Sequence, residues 1–202
     1  GLDDLLLSRA PLDAVQVASL ANGMTARHLG GLSTTATLSL SAAAVNYVWT
    51  NTAGGSWSTG TNWQGGVAPV SSRGASVQFF TGQTLAGITA TSTNDLAGIL
   101  QMNNLTLAGT SSAATSATIS GGTFQLLNNG TTMPTVNLTG TSGSGTNVLT
   151  YNINTPVVLG ADTTFNATNS GTFIFNGDLS GTGGVIRSGS SSRLVLSGTN
   201  TY

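Results

Sequence analysis

Three aspartates in the long body of the chain are the residues whose type could support acid–base chemistry. Asp95, Asp162 and Asp178 each lie in a turn-like context rich in Gly, Asn or Ala. Hydrolysis of a glycoside needs two carboxyl groups about 5–10 Å apart. No two of the three are near in sequence, although stacked turns could bring Asp162 and Asp178 together. Because Asp favours such turns by bonding nearby backbone, the sequence predicts turn residues and no enzyme.

The remaining candidates for metal or phosphate chemistry are a lone histidine and a run of glycines. The chain has one His and no Cys, so His28 has no partners for a catalytic triad or a multi-ligand metal site. The stretch Gly181-Thr182-Gly183-Gly184 lacks the Asp of calcium-binding β-rolls. No Lys follows it, as a phosphate loop requires. We therefore predict no metal and no cofactor.

All three tryptophans, Trp49, Trp57 and Trp63, lie between residues 45 and 80. Indole rings could stack on sugars, which would make the protein a glycan-binding adhesin. The alternative is structural, because the first unit of a repetitive β-stack has an apolar end and unpaired strand edges that must be covered. Large aromatic side chains bury about 150–250 Å² each and could plug that end. The sequence favours the cap.

The charge content is unusual and excludes several classes of protein. Charged residues make up 5% of the 202 residues and the net charge is −1, whereas ordinary globular proteins have about 25%. No basic surface exists to bind nucleic acid. No run of about 18 apolar residues occurs, so a membrane-spanning helix is not expected. Without Cys there are no disulfides, and burial with backbone pairing must stabilise the fold.

Residues 81–202 form a repetitive body in which short apolar bursts alternate with turn formers. Val136-Leu138, Phe173-Phe175 and Leu194-Leu196 are examples. Such spacing is typical of sandwiches, barrels and solenoids. The bursts are short for a sandwich, and the low charge suits a stack of coils. From Trp49 onward, the sequence predicts an all-β solenoid of six or seven coils of about 20–25 residues each, with a β-sandwich as the alternative.

Residues 1–44 have a different character and predict an N-terminal arm. The leucines before Pro11 suggest a short amphipathic helix, since proline interrupts helices. Residues 24–44 fit either a secretory signal or an extended strand, in which Ala36, Leu38 and Leu40 alternate with polar residues. As a strand, this arm could pack on its own solenoid or be donated to a neighbouring subunit, which would link subunits into a filament.

Two stretches resemble a known family. The final stretch LSGTGGVIRSGSSSRLVLSGTNTY resembles the passenger-associated β-strand repeat of bacterial autotransporters, and the matching residues are Gly181, Gly183, Gly184, Leu194, Leu196, Ser197, Gly198, Asn200, Thr201 and Tyr202. Arg187 stands where the repeat usually has Lys, and Ser190-Ser191-Ser192 replaces Gly-x-Gly. The tryptophan segment resembles the opening segment of proteins in this family through Trp49, Gly55, Trp57, Asn62, Trp63, Gly66, Pro69 and Phe79.

The resemblance implies a right-handed parallel β-helix in a protein exported to the surface of a Gram-negative-type bacterium. We predict an arm (1–44), an aromatic cap segment (45–80) and a solenoid body (81–202). The expected function is non-enzymatic: a stalk, fibre or passenger domain. Its expected partners are further copies of itself or other cell-surface components, with glycans as the alternative ligand.

Overall fold

The described residues form an all-β structure. The computed structural model describes residues 41–146, 148–189 and 191–202. The helix and strand predicted within residues 1–40, including His28, Ala36, Leu38 and Leu40, lie outside the described residues. Within the described ranges no α-helix occurs, and the one helical element is a single 3-10 turn, Gly60–Asn62.

In the described ranges, eighteen strands, each of two to seven residues, carry the fold. In chain order they are β1 (Val45–Trp49), β2 (Gly55–Ser56), β3 (Ala75–Phe79), β4 (Thr84–Ala86), β5 (Thr89–Asn94), β6 (Leu100–Met102), β7 (Asn104–Leu107), β8 (Thr110–Ala113), β9 (Thr115–Gly121), β10 (Phe124–Leu126), β11 (Thr135–Leu138), β12 (Leu149–Ile153), β13 (Val157–Leu159), β14 (Thr163–Ala167), β15 (Thr172–Phe175), β16 (Leu179–Gly181), β17 (Val185–Ser188) and β18 (Arg193–Leu196).

The strands form three long sheets and one short one. Sheet A runs β1-β3-β7-β11-β14-β17, sheet B runs β2-β5-β9-β12-β15-β18, sheet C runs β6-β10-β13-β16, and sheet D pairs β4 with β8. Every strand pair in the described ranges is parallel. From β5 onward the chain visits B, C and A in turn and then repeats, so successive coils stack as in a β-solenoid. Sandwiches are built from antiparallel sheets, and that alternative was therefore wrong.

Alternation of side chains explains why each strand has one buried face. In β12, Leu149, Tyr151 and Ile153 are buried, whereas Thr150 and Asn152 between them are half-exposed. This is the period of two that a strand imposes. The inward residues of the three long sheets join one apolar core that extends from Tyr47 to Leu179.

Coil length differs from the prediction in the first part of the stack. Asn104 and Thr135 are partners in adjacent coils of sheet A, and they lie 31 positions apart in the chain. Asn154 and Asn176, which follow β12 and β15, are partners in later coils and lie only 22 positions apart. The predicted coil length therefore holds for the last coils, whereas among the earlier strand pairs it holds only in sheet C between β6 and β10, where Gln101 and Gln125 lie 24 positions apart. The extra residues of earlier coils form sheet D and longer loops, which lack the apolar period that made the coils recognisable.

The outward faces of the sheets carry paired amides and hydroxyls. Asn104 Nδ2 donates to Thr135 Oγ1 at 2.6 Å, and Ser76 Oγ donates to Asn104 Oδ1 at 3.2 Å, so three successive coils are linked in sheet A. In sheet C, Gln101 Nε2 donates to Gln125 Oε1 at 3.1 Å. In these ladders, uncharged polar side chains occupy the outward positions, which agrees with the low content of charged residues.

Candidate functional site

The aromatic cluster lies at the end of the stack where β1 and β2 begin. Trp49 and Trp57 are 0% exposed and Trp63 is 2% exposed. The ring of Trp63 meets those of Trp49 and Trp57 edge to face, with centroids 5.1 Å and 5.3 Å apart. Trp57 stacks on Phe124 of β10 at 5.3 Å. The indole faces are therefore occupied by neighbouring rings, and a sugar could stack on them only if this end of the core opened.

Two of the three indole N–H groups have partners. Trp49 Nε1 donates to the carbonyl of Asn51, and Trp63 Nε1 donates to that of Trp57, both at 2.8 Å. The buried Nε1 of Trp57 has no acceptor among the described residues. A buried donor without an acceptor is costly, so the ring is held there by its packing.

The loop that carries these residues also covers the free strand edges at this end. The N–H of Gln64 donates to the Val48 carbonyl at 2.8 Å, and that of Thr50 donates to the Asn62 carbonyl at 3.0 Å, along the outer edge of β1. The outer edge of β6 is covered by Ser71 and Ser72, which exchange hydrogen bonds with the backbone of Gln101 at 2.9 Å and 3.0 Å. Free edges invite pairing with other chains, so these contacts have the geometry of a cap.

An asparagine pair organises the cap loop. Asn51 Nδ2 donates to Asn62 Oδ1 at 2.7 Å, and Asn62 Nδ2 donates to the Ser56 carbonyl at 2.8 Å. Asn62 is buried despite its polarity, and buried polar groups need such partners. Asn62 was among the residues that carried the family resemblance, but no sequence signal singled out Asn51.

The three body aspartates lie at turns, and each bonds an adjoining coil. Asp162 accepts the N–H of Gly184 and Asp178 accepts that of Thr199, at 2.8 Å and 2.7 Å. Asp95 accepts both the hydroxyl and the N–H of Ser58, at 2.6 Å and 2.8 Å.

The hydrogen bonds that Asp95 accepts also affect its pKa. The hydroxyl of Ser58, followed by its backbone N–H, lowers the pKa of Asp95, because both stabilise the charged form.

Asp162 lies between sheets C and A, whereas Asp178 lies between sheets B and C. The two carboxylates that stacking could have paired are thus on different corners of the coil.

The residues of the resembling repeat lie where successive coils meet. A Cβ on Gly181 or Gly183 would come within 2.3 Å or 2.1 Å of backbone in the preceding coil. Leu194 and Leu196 pair with Phe173 and Phe175 and are half-buried against the core. Gly184, Gly198, Asn200 and Tyr202 also belong to the repeat.

Contacts of these last residues are also between coils, with one exception. Asn200 Oδ1 accepts the N–H of Leu179 at 3.0 Å, and a Cβ on Gly198 would lie 2.5 Å from the Gly177 carbonyl oxygen. Gly184 supplies the N–H that Asp162 accepts. Tyr202 is largely exposed.

Arg187 is in register with the buried Phe165 in sheet A, but it is itself exposed. Its Nη2 donates to the Ser192 carbonyl at 2.7 Å and its Nε donates to the Gly189 carbonyl at 3.3 Å. The guanidinium therefore bonds the carbonyls of the turn that follows β17. Arg presents several donors in a fixed fork, which suits it to this position in place of the Lys of the repeat.

Two concave regions in the described part of the chain are further candidates for a ligand site. Between Trp49, Phe80 and Ile119 lies a core cavity of about 10 Å³, which has room for one water at most. A shallow depression of about 350 Å³ is lined by Thr89, Ala114, Thr115, Ser116, Val148 and Thr150. The described ranges contain no group of three or more acidic or His side chains able to hold a metal ion, and no helix suited to crossing a membrane.

The resemblance to the autotransporter repeat rests on the residues of this chain alone. No family model, no curated protein and no solved structure matches it.

Proposed function

We propose that this chain is a non-enzymatic structural segment of an exported bacterial surface protein, a β-solenoid that serves as stalk, fibre or passenger domain. The observation that carries the proposal is unbroken pairing between coils. Sheets A and B each continue over six parallel strands, and a single apolar core runs beneath them from Tyr47 to Leu179.

This construction suits a mechanical role. Each coil adds about 4.8 Å to the stack. The stack therefore becomes longer with each added coil and needs few charged residues and few loop residues to do so. Backbone hydrogen bonds of sheets A and B join each coil to the next, and sheet C and the side-chain ladders add further bonds between several of the coils, so a load along the axis is shared. We propose a right-handed coil, because parallel crossovers in proteins are right-handed almost without exception.

Support for a non-enzymatic role comes from the carboxylates. Asp95, Asp162 and Asp178 each accept a hydrogen bond from an adjoining coil, which leaves them fixed as turn residues. The glycan-binding alternative would need an exposed aromatic face, and Trp49, Trp57 and Trp63 are covered. We therefore assign the tryptophans to the cap.

Strand donation through residues 24–44 stays an alternative for self-assembly. Its donor residues Ala36, Leu38 and Leu40 lie outside the described residues. Residues 41–44 contact their own chain at Asn129 and Gly74. Self-association through other surfaces is compatible with the proposed stalk.

Surface labelling and proteolysis test the proposal together. Antibodies against the purified chain should label intact cells of the source bacterium without permeabilisation, whereas a cytoplasmic control protein should stay unlabelled. The purified protein should resist a protease that digests a Leu138→Asp variant, because Leu138 is fully buried. Labelling only after permeabilisation would overturn export, and equal digestion of both proteins would overturn the stable stack.

A further inference from the structure

The short segment before β1, residues 41–44, is tied to a distant loop by one side-chain amide. The N–H of Ala42 donates to Asn129 Oδ1 at 2.7 Å, and Asn129 Nδ2 donates back to the Ala42 carbonyl at 2.9 Å. The two residues are 87 positions apart. A primary amide bonded to an N–H and a C=O in this way occupies the place of a neighbouring strand. We call residues 41–44 the latch segment.

Gly74 provides the second contact of the latch segment. A Cβ on Gly74 would lie 2.1 Å from the Ala43 carbonyl oxygen, so only glycine permits this approach. The N–H of Val45 donates to the Gly74 carbonyl at 2.9 Å. The segment is therefore held at two points and rests on few contacts, so the Asn129 amide is a large part of what fixes it.

Asn129 is followed by Gly130 in a tight turn. Asn129 and Thr132 exchange two backbone hydrogen bonds of 3.0 Å, and Gly130 has φ of +61°. Within the described part of the chain the N–H of Gly130 donates to no acceptor. An Asn followed by Gly is chemically labile, because glycine lacks the Cβ that would hinder its nitrogen from approaching the Asn side chain.

We propose that Asn129-Gly130 is a deamidation site, and that its conversion prevents the latch segment, once released, from binding again. The deprotonated nitrogen of Gly130 attacks Cγ of Asn129. A C–N bond forms, the bond from Cγ to the side-chain nitrogen breaks, and ammonia leaves. The resulting succinimide takes up one water at either carbonyl and opens to aspartate or isoaspartate. One water is consumed, one ammonia is released, and no electron is transferred.

Either product lacks the paired bonding of the latch. In aspartate the N–H of Ala42 can still donate to a carboxylate oxygen, but the donor to the Ala42 carbonyl is gone and a charged oxygen faces that carbonyl oxygen. In isoaspartate the main chain runs through the former side chain and the carboxylate is displaced, so both bonds to Ala42 should be lost. A polar group left without its partner is unfavourable. The segment should therefore stay released after conversion.

Among the described residues, a second Asn-Gly pair, Asn176-Gly177, is held differently. The N–H of Gly177 donates to the Ile153 carbonyl at 3.0 Å. Asn176 Nδ2 donates to Asn154 Oδ1 at 2.9 Å, and its Oδ1 accepts the hydroxyl of Ser197 at 2.7 Å. Attack there would require breaking a backbone bond between coils. Asn176 should therefore be deamidated more slowly, and it serves as an internal control for Asn129.

The hydrogen bonds between Asn129 and Ala42 should also affect the rate at which Asn129 is deamidated. The two bonds to Ala42 restrain rotation of the Asn129 amide, so the reaction should be faster from the open state. Opening is reversible, whereas deamidation is not. A reversible release of the latch segment can thus lead to a permanent chemical change at Asn129.

The test incubates the whole protein in mildly alkaline buffer and maps deamidation by peptide mass spectrometry, with isoaspartate methyltransferase as the probe for isoaspartate. Asn129 should convert several-fold faster than Asn176. In the converted fraction, hydrogen exchange should accelerate at residues 42–45 but not in β12. An Asn129→Gln variant, which forms a cyclic imide far more slowly, should keep its exchange pattern.

Disturbing the latch gives the reciprocal test. Ala42→Pro removes the N–H that bonds Asn129 and should accelerate conversion of Asn129, whereas Ser41→Pro, at a position with no described hydrogen bond, should not. Conversion of Asn176 at the same rate as Asn129 would overturn the proposed site. Unchanged exchange at residues 42–45 after conversion would overturn the proposed release.

Discussion

The hydroxyl of Tyr151 donates a hydrogen bond of 2.6 Å to the main-chain carbonyl of Ala108 inside the core. The Tyr151 ring is fully buried and stacks on Phe173 with centroids 5.6 Å apart. Burial raises the pKa of Tyr151 above its ordinary value of about 10, since the phenolate would lose its hydration. Ionisation would also leave the Ala108 carbonyl without its donor.

Replacement of Tyr151 by Phe should change how stability depends on alkaline pH. In the parent protein the unfolded tyrosine loses its proton above about pH 10 while the folded one keeps it. Stability should therefore be intact below pH 10 and fall by about 1.4 kcal/mol per pH unit above it. Tyr151→Phe should cost about 1 kcal/mol near neutral pH through the lost hydrogen bond, but should lose less stability above pH 10.

Denaturant titrations at pH 8 and at pH 11 check this prediction. The two curves should approach each other, or cross, at the higher pH. A constant difference between parent and variant at both values would show that Tyr151 ionises equally well in the folded protein, which would contradict its burial.

Close contact between coils makes two adjacent glycines unequal. A Cβ on Gly183 would lie 2.1 Å from the backbone of Ala161, whereas one on Gly184 would lie 3.5 Å from Asp162 Oδ1, an ordinary contact. Gly183→Ala should destabilise the protein by about 1–3 kcal/mol, as overpacking does. Gly184→Ala should change stability by less than about 0.5 kcal/mol. Similar thermal unfolding of the two variants would exclude close stacking of this turn.

The strand pattern was predictable from the sequence because it depends on residues close together. Alternation such as that of Leu149, Tyr151 and Ile153 follows from strand geometry, and short apolar bursts marked the positions of β15 and β18. The pattern alone left a β-sandwich open, and the parallel stacking of those strands was expected only through the resemblance to the autotransporter repeat.

Features that depend on distant partners were not predictable. No sequence pattern near Asn129 or Ala42 indicates their contact, because Asn also occurs as a turn residue and as a ladder residue throughout this chain. The same holds for Asn51 and Asn62. Coil length was missed for a related reason: polar insertions such as the turn at Asn129–Thr132 add residues without adding an apolar period.

Two tryptophans of the cap should respond differently to the same substitution. Trp63→Phe removes the donor to the Trp57 carbonyl, whereas Trp57→Phe removes an N–H that has no described acceptor and keeps an aromatic ring against Phe124. Both changes leave a small cavity. We therefore expect Trp63→Phe to be more destabilising by about 1 kcal/mol, the worth of a buried hydrogen bond. Chemical denaturation measures the difference, and a more destabilising Trp57→Phe would indicate that its indole N–H has a partner.

Strand β15 allows the burial of the core to be tested with one charge at two neighbouring positions. Phe175 is fully buried, whereas Ile174 beside it faces outward and is half-exposed. Phe175→Asp should cost more than about 4 kcal/mol, because an unpaired charge would be buried and a large ring lost, and the cooperative transition should disappear. Ile174→Asp should cost about 1 kcal/mol or less. Leu196→Asp should lie between them, since Leu196 pairs with Phe175 but is only half-buried. Thermal unfolding followed by circular dichroism gives the order, and a Phe175→Asp variant as stable as Ile174→Asp would rule out the inward orientation of this row.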